Sequence, residues 1–127
     1  MDEKKILIID DDPGVVKSVR HALEKAGYNV YSTNSAEGVL DKLKQVNPDL
    51  IILDLVLLGE SGFQVAKKIQ SSITYQNTPI IMVSLRKEEI DKRVAALSGV
   101  VEYLEKPINI EALLFHIRDI LFRKENK

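Results

Sequence analysis

Apolar residues gather in five short runs along the chain: Ile6-Leu7-Ile8-Ile9, Tyr28 to Tyr31, Leu50 to Leu53, Ile80 to Val83 and Val101 to Leu104. Three of these are apolar at every consecutive position. Side chains of a strand alternate between two faces, so an unbroken run fits a strand covered on both sides, as in a parallel sheet between helices. The intervening segments carry a helical period. Val15, Val16, Val19, Ala22, Leu23 and Ala26 step by three and four, which gives one apolar stripe. Asp12-Pro13 supplies a cap and a first helical residue, and Gly27 a stop. A second helix is expected from near Asn34, with Glu37 as the partner in a capping box, to about Gln45 before Asn47-Pro48. The third spans about Gly62 to Ser71. The fourth, Lys87 to Leu97, offers a thin stripe of Ile90, Val94 and Leu97. The fifth starts at Asn109 and buries Ile110, Leu113, Leu114, Ile117, Ile120 and Leu121, and the polar tail Arg123–Lys127 is expected to fray.

Strand and helix therefore alternate five times. Such alternation predicts an α/β fold with a parallel sheet, right-handed crossovers and helices on both faces. The 127 residues suit one domain, with no internal repeat or linker.

Charge removes several functions from consideration. Eighteen Lys/Arg nearly cancel 19 Asp/Glu, so the basic excess of a nucleic-acid binder is absent. The absence of cysteine excludes disulfides, thiolate metal sites and thiol nucleophiles. No apolar run approaches membrane-spanning length. The short apolar stretch after Met1–Lys5 is unlike a signal peptide, and a cytoplasmic location is the default expectation.

Ligands of open α/β sheets collect beyond the carboxyl ends of the strands, where strand order reverses. The first run ends in Asp10-Asp11-Asp12, the third in Asp54, the fourth in Ser84 and the fifth in Lys106-Pro107. The second ends in Ser32-Thr33-Asn34, which adds nothing distinctive. If strands 1 and 3 are neighbours, the acids meet. Two carboxylates ~4 Å apart repel by about 4 kcal/mol at an effective dielectric of 20, so such a site takes up protons or binds a cation. An all-oxygen donor set favours Mg²⁺ or Mn²⁺. An ionised Asp is already a nucleophile, and Lys106 and Ser84 suit a transferring phosphoryl group as countercharge and hydrogen-bond donor.

The segments Ile-Leu-Ile-Ile-Asp-Asp-Asp-Pro, Leu-Ile-Ile-Leu-Asp-Leu with Gly62 eight residues after Asp54, Ile-Ile-Met-Val-Ser, and Tyr103-Leu-Glu-Lys106-Pro107 resemble the receiver domains of two-component response regulators. The resemblance covers about residues 4 to 123 and implies a single receiver domain over 1–127. Its fold would be a doubly wound, flavodoxin-like (βα)5 sheet of five parallel strands in the order 2-1-3-4-5. It implies Asp54 as phosphoacceptor, with Ser84 and Lys106 on the phosphoryl group. Asp10, Asp11, Asp54 and the Val56 backbone carbonyl would hold the metal, Asp11 directly and Asp10 through water. Ser84 and Tyr103 would be the switch pair, and Val56, Leu85 and Arg86 would tune access and phosphate lifetime. A cis Lys106–Pro107 bond belongs to the pattern.

The resemblance also implies partners: a sensor histidine kinase or histidine phosphotransfer protein as donor, and a downstream protein or the chain's own effector domain as output. No direct contact with nucleic acid or membrane is expected. Helix 4, strand 5 and helix 5 would form the output face and a possible homodimer contact. The chain would be a switch, not an enzyme beyond its own phosphorylation and dephosphorylation. It would be either a stand-alone regulator or the front piece of a longer one.

Two positions depart from the pattern. Leu58 stands where Pro is usual, and Leu85 where Ala or Gly usually follows the hydroxyl residue; the larger side chain at 85 is expected to restrict access. A pseudo-receiver that never takes phosphate is the alternative Leu85 would support. A haloacid-dehalogenase-type phosphatase would want a second Asp where Val56 stands. Asp12 reads as a helix cap, His21 and His116 as surface or packing residues, and the charged stretch Arg86 to Arg93 as a solvated face.

Overall fold

The computed structural model describes residues 3–126; Met1, Asp2 and Lys127, on which part of the expected start and tail rests, lie outside them. The elements are β1 (Lys5–Ile9), α1 (Pro13–Lys25), β2 (Asn29–Thr33), α2 (Val39–Val46), β3 (Leu50–Asp54), α3 (Gly62–Gln70), β4 (Ile80–Ser84), α4 (Glu89–Leu97), β5 (Glu102–Glu105) and α5 (Ile110–Glu125). The strands form one parallel sheet in the order β2-β1-β3-β4-β5.

The consecutive apolar runs are explained by two cores, one on each face of the sheet. Leu7, Ile9, Ile51, Leu53, Ile80 and Met82 pack against α2, α3 and Ala95 of α4. Their sequence neighbours Ile6, Ile8, Leu50, Ile52, Ile81 and Val83 pack against Val19 and Leu23 of α1 and Leu113, Ile117 and Leu121 of α5. Burying every residue of a central strand removes much apolar surface from water, at roughly 25 cal/mol per Å². The edge strand β5 is only half covered.

Asp12 caps α1 as expected, its Oδ1 accepting from the Gly14 and Val15 amides at 2.9 and 3.4 Å. Three expectations are corrected. The second helix begins at Val39, not near Asn34: residues 34–38 form a turn in which Ser35 Oγ accepts the Glu37 amide, and Gly38, at φ 67°, precedes the helix. In α4 the expected stripe does not face the core. Ile90 and Leu97 are exposed, and the helix buries Asp91 and Ala95. The tail through Glu125 is helical, held by an Arg123–Asp119 pair at 3.1 Å and a Lys4–Glu125 pair at 2.6 Å.

Candidate functional site

Order reverses between β1 and β3, and the carboxyl ends of these strands carry the acids. Asp10 follows β1 and Asp54 closes β3; both are buried, Asp54 to 6% exposure. Asp11 stands more open, yet one carboxylate oxygen from each of Asp10, Asp11 and Asp54 lies within 4.8 Å of the others. Backbone groups orient this set. The Asp12 amide donates to Asp10 Oδ1 at 2.9 Å, and the Val56 amide to Asp54 Oδ1 at 3.3 Å.

Gly62 explains how Asp54 is seated. A Cβ at this position would fall on the Asp54 carbonyl oxygen and 2.8 Å from Leu55 Cα. Only glycine lets the start of α3 close on the end of β3, where the Gly62 amide donates to the Leu55 carbonyl at 2.6 Å.

Lys106 enters from the end of β5, next to the cis bond to Pro107. Its Nζ donates to Asp10 Oδ2 at 3.0 Å and lies 3.5 Å from Asp54 Oδ2. Burial, reinforced by the Asp10 charge, pushes the Asp54 carboxyl from its usual 3.8 up to about 6, against the pull of Lys106 and the Val56 amide. Burial works to lower the Lys106 ammonium, but its bond to Asp10 and the charges of both acids outweigh it and hold it above the ordinary lysine value. The site thus concentrates negative charge that one lysine only partly balances. Its donors are all oxygen, which fits a hard divalent cation such as Mg²⁺ or Mn²⁺.

Ser84, fully buried at the end of β4, accepts the Arg86 amide on Oγ at 3.0 Å. The Tyr103 hydroxyl donates to the Arg86 carbonyl at 2.6 Å, and its ring packs against the core beneath α4. Burial raises the Tyr103 phenol above its usual value, with the neighbouring Ser84 hydroxyl opposing. Leu85, next in the chain, is 73% exposed, and Val56 and Leu58 are exposed as well.

The structure therefore brings Asp10, Asp11, Asp54 and Lys106 together, and joins Ser84, Arg86 and Tyr103 in a second cluster at the adjoining strand ends. His21 and His116 lie elsewhere; His116 Nδ1 is 3.8 Å from Glu102. Two features escape the sequence reading. Ser32, Thr33 and Asn34 line a cleft beside Asp10 and Asp11, although nothing in their residue types singles them out. Asp91 is 4% exposed and paired with Arg86, where a charged stretch suggests a solvated face.

A family model for the response regulator receiver domain matches residues 6–118. The alkaline phosphatase synthesis transcriptional regulatory protein PhoP of Bacillus subtilis is 33% identical over 96% of this chain and 50% of its own length. The transcriptional regulatory protein AfsQ1 of Streptomyces coelicolor is 34% identical over 96% of this chain and 53% of its own. The chain thus spans about half the length of the curated relatives it matches. Among solved structures, a CheY-like response regulator receiver domain protein of Methanospirillum hungatei superposes with a TM-score of 0.91 at 27% identity, covering 98% of each chain. A two-component response regulator of Clostridium difficile gives 0.89 at 30% identity over 96% and 98%. The strand order, the acids at its reversal and a family match along nearly the whole sheet agree, and the chain belongs to the response regulator receiver domains of two-component signalling.

Proposed function

We propose that Asp54 accepts a phosphoryl group from a phosphohistidine on a sensor kinase or phosphotransfer protein, and that residues 4–123 work as one receiver unit. The observation that carries this reading is the placement of the Asp54 carboxylate, buried at the sheet's reversal point beside Asp10, Asp11 and Lys106. An Asp54 oxygen attacks phosphorus while the P–N bond breaks; the electron pair leaves with the donor imidazole, which takes up a proton. Lys106 sits where it can follow the developing charge on the phosphoryl oxygens, and Ser84 is the nearby hydroxyl donor. Asp10, Asp11, Asp54 and the Val56 carbonyl would hold a divalent cation, Mg²⁺ or Mn²⁺, whose charge makes a dianionic phosphoryl group acceptable among carboxylates.

The same reading assigns the response. Ser84 follows the phosphoryl group, Tyr103 leaves the Arg86 carbonyl and turns inward, and the surface of α4, β5 and α5 changes its affinity for a downstream protein, an effector domain or a second copy. A switch of this kind acts only through differential affinity for its two states. Exposed Leu97, Phe115 and Phe122 on α4 and α5 support a protein-facing role. Val56, Leu85 and Arg86 flank the reacting groups and set phosphate lifetime. Among the described residues no helix is long and apolar enough to cross a membrane.

Incubation with acetyl phosphate and Mg²⁺, followed by intact-mass and peptide analysis, tests the assignment. One phosphoryl group on Asp54, lost with Asp54→Asn or with EDTA, is expected. A wild-type chain that takes no adduct from acetyl phosphate or beryllofluoride would refute it.

A further inference from the structure

The segment between β4 and α4 is held almost entirely through one residue, Arg86. Its amide donates to Ser84 Oγ at 3.0 Å, and its carbonyl accepts from the Tyr103 hydroxyl at 2.6 Å. Its guanidinium reaches forward to the first turn of α4, where Nε and the Nη2 nitrogen meet the two Asp91 carboxylate oxygens at 3.2 and 3.0 Å. Asp91 is the unusual member. It occupies the core-facing side of α4, one turn before Ala95, where an apolar residue would be expected. A buried carboxylate is costly unless paired and hydrogen-bonded, and a two-point guanidinium contact is the geometry that meets this need. The pair therefore fixes where Arg86 sits, and both main-chain groups of Arg86 fix the side chains of Ser84 and Tyr103.

We propose that Asp91 is a positioning residue that acts through Arg86 to hold Ser84 and Tyr103 in the arrangement seen here, and so sets the balance between this resting form and the phosphorylated one. The inference rests on the receiver reading for its consequence, because that reading has Ser84 and Tyr103 move. When Ser84 turns to the phosphoryl group, the Arg86 amide loses its acceptor. When Tyr103 turns inward, the Arg86 carbonyl loses its donor. Both losses fall on one residue, and the Asp91 anchor opposes any shift of that residue that would lessen them. Removing the anchor lowers the cost of leaving the resting form.

The test compares the wild-type chain with Asp91→Asn, with the double variant Arg86→Met/Asp91→Leu, and with Glu89→Gln. The double variant replaces the pair by apolar groups without orphaning a charge, a change that proteins often tolerate, and so answers the case in which Asp91→Asn folds poorly. Glu89 is also an acid in the first turn of α4 but, among the described residues, its ion pair is with Lys92 at 3.7 Å, so its variant removes the same helix-end charge without touching Arg86.

In protein without adduct, the main-chain amide at position 86 should exchange its hydrogen at least about tenfold faster in both anchor variants, about 1.4 kcal/mol of lost protection, and at the wild-type rate in Glu89→Gln. With Mg²⁺ and beryllofluoride, binding should tighten about tenfold in the anchor variants and be unchanged in the control. Wild-type exchange at position 86 would overturn the positioning role, and unchanged or weaker beryllofluoride binding would overturn the regulatory one. A wild-type chain that binds no beryllofluoride would defeat the receiver reading instead, and the exchange result alone would then decide whether Asp91 positions this loop.

Discussion

Replacing Asp54 with asparagine keeps the side chain's shape and removes its charge, which isolates the electrostatic cost of the site. The carboxyl is raised from 3.8 to about 6 by burial and by Asp10. At about 1.4 kcal/mol per pKa unit, this is roughly 3 kcal/mol of preference for the neutral form. A Coulomb estimate gives the same size: the acids' oxygens lie within 4.8 Å, and two unit charges at that distance repel by about 3.5 kcal/mol at an effective dielectric of about 20. The sign follows from proton binding. Between 3.8 and about 6 the folded chain holds a proton at Asp54 that the unfolded chain has released, so stability falls as pH rises through this window and stays lowered above it. Asparagine escapes the penalty, while Lys106 keeps its bond to Asp10. Urea unfolding in EDTA should therefore show Asp54→Asn more stable than wild type by about 2–3 kcal/mol at pH 7.5 and by only about 0.5 kcal/mol near pH 4. Added Mg²⁺ should narrow the gap at pH 7.5 by stabilising the wild type more than the variant, which keeps Asp10 and Asp11 but lacks the third carboxylate. A variant no more stable than wild type at pH 7.5, or a gap that ignores pH, would refute the account of a site under charge repulsion.

Three further outcomes follow from the packing and the site. Gly62→Ala should cost about 2 kcal/mol or more in urea unfolding, because the new methyl group meets the Asp54 carbonyl and Leu55 backbone. Lys106→Met leaves Asp10 and Asp54 without their cation; about 3 kcal/mol should be lost at pH 7.5 in EDTA, and Mg²⁺ should restore more stability than it gives wild type, as unfolding with and without Mg²⁺ would show. On α4, Ile90→Ser and Leu97→Ser should change stability by less than about 0.5 kcal/mol, whereas Ala95→Leu should cost about 1–3 kcal/mol. The opposite ranking would return the core-facing side of the helix to the Ile90–Leu97 stripe.

The hydrophobic pattern was enough to lay out the sheet and to say which residues share its carboxyl edge. Runs such as Ile6–Ile9, Leu50–Leu53 and Ile80–Val83 leave no polar face, and only a strand covered on both sides tolerates that. The residues at the ends of those runs then had to share one edge of the sheet, which made Asp10, Asp54, Ser84 and Lys106 legible together. Elements whose sides depend on neighbours were not legible. The turn before α2 hides behind an Asn34–Glu37 spacing that only backbone angles could have ruled out. In α4, periodicity favours Ile90, Val94 and Leu97, yet small Ala95 and paired Asp91 face inward. Hydrophobic spacing says that a helix has a buried side, but the choice of side is made by what fits beneath it. Only the tertiary structure supplied the Arg86 guanidinium that makes a buried Asp91 tolerable, and with it the link from α4 to Ser84 and Tyr103.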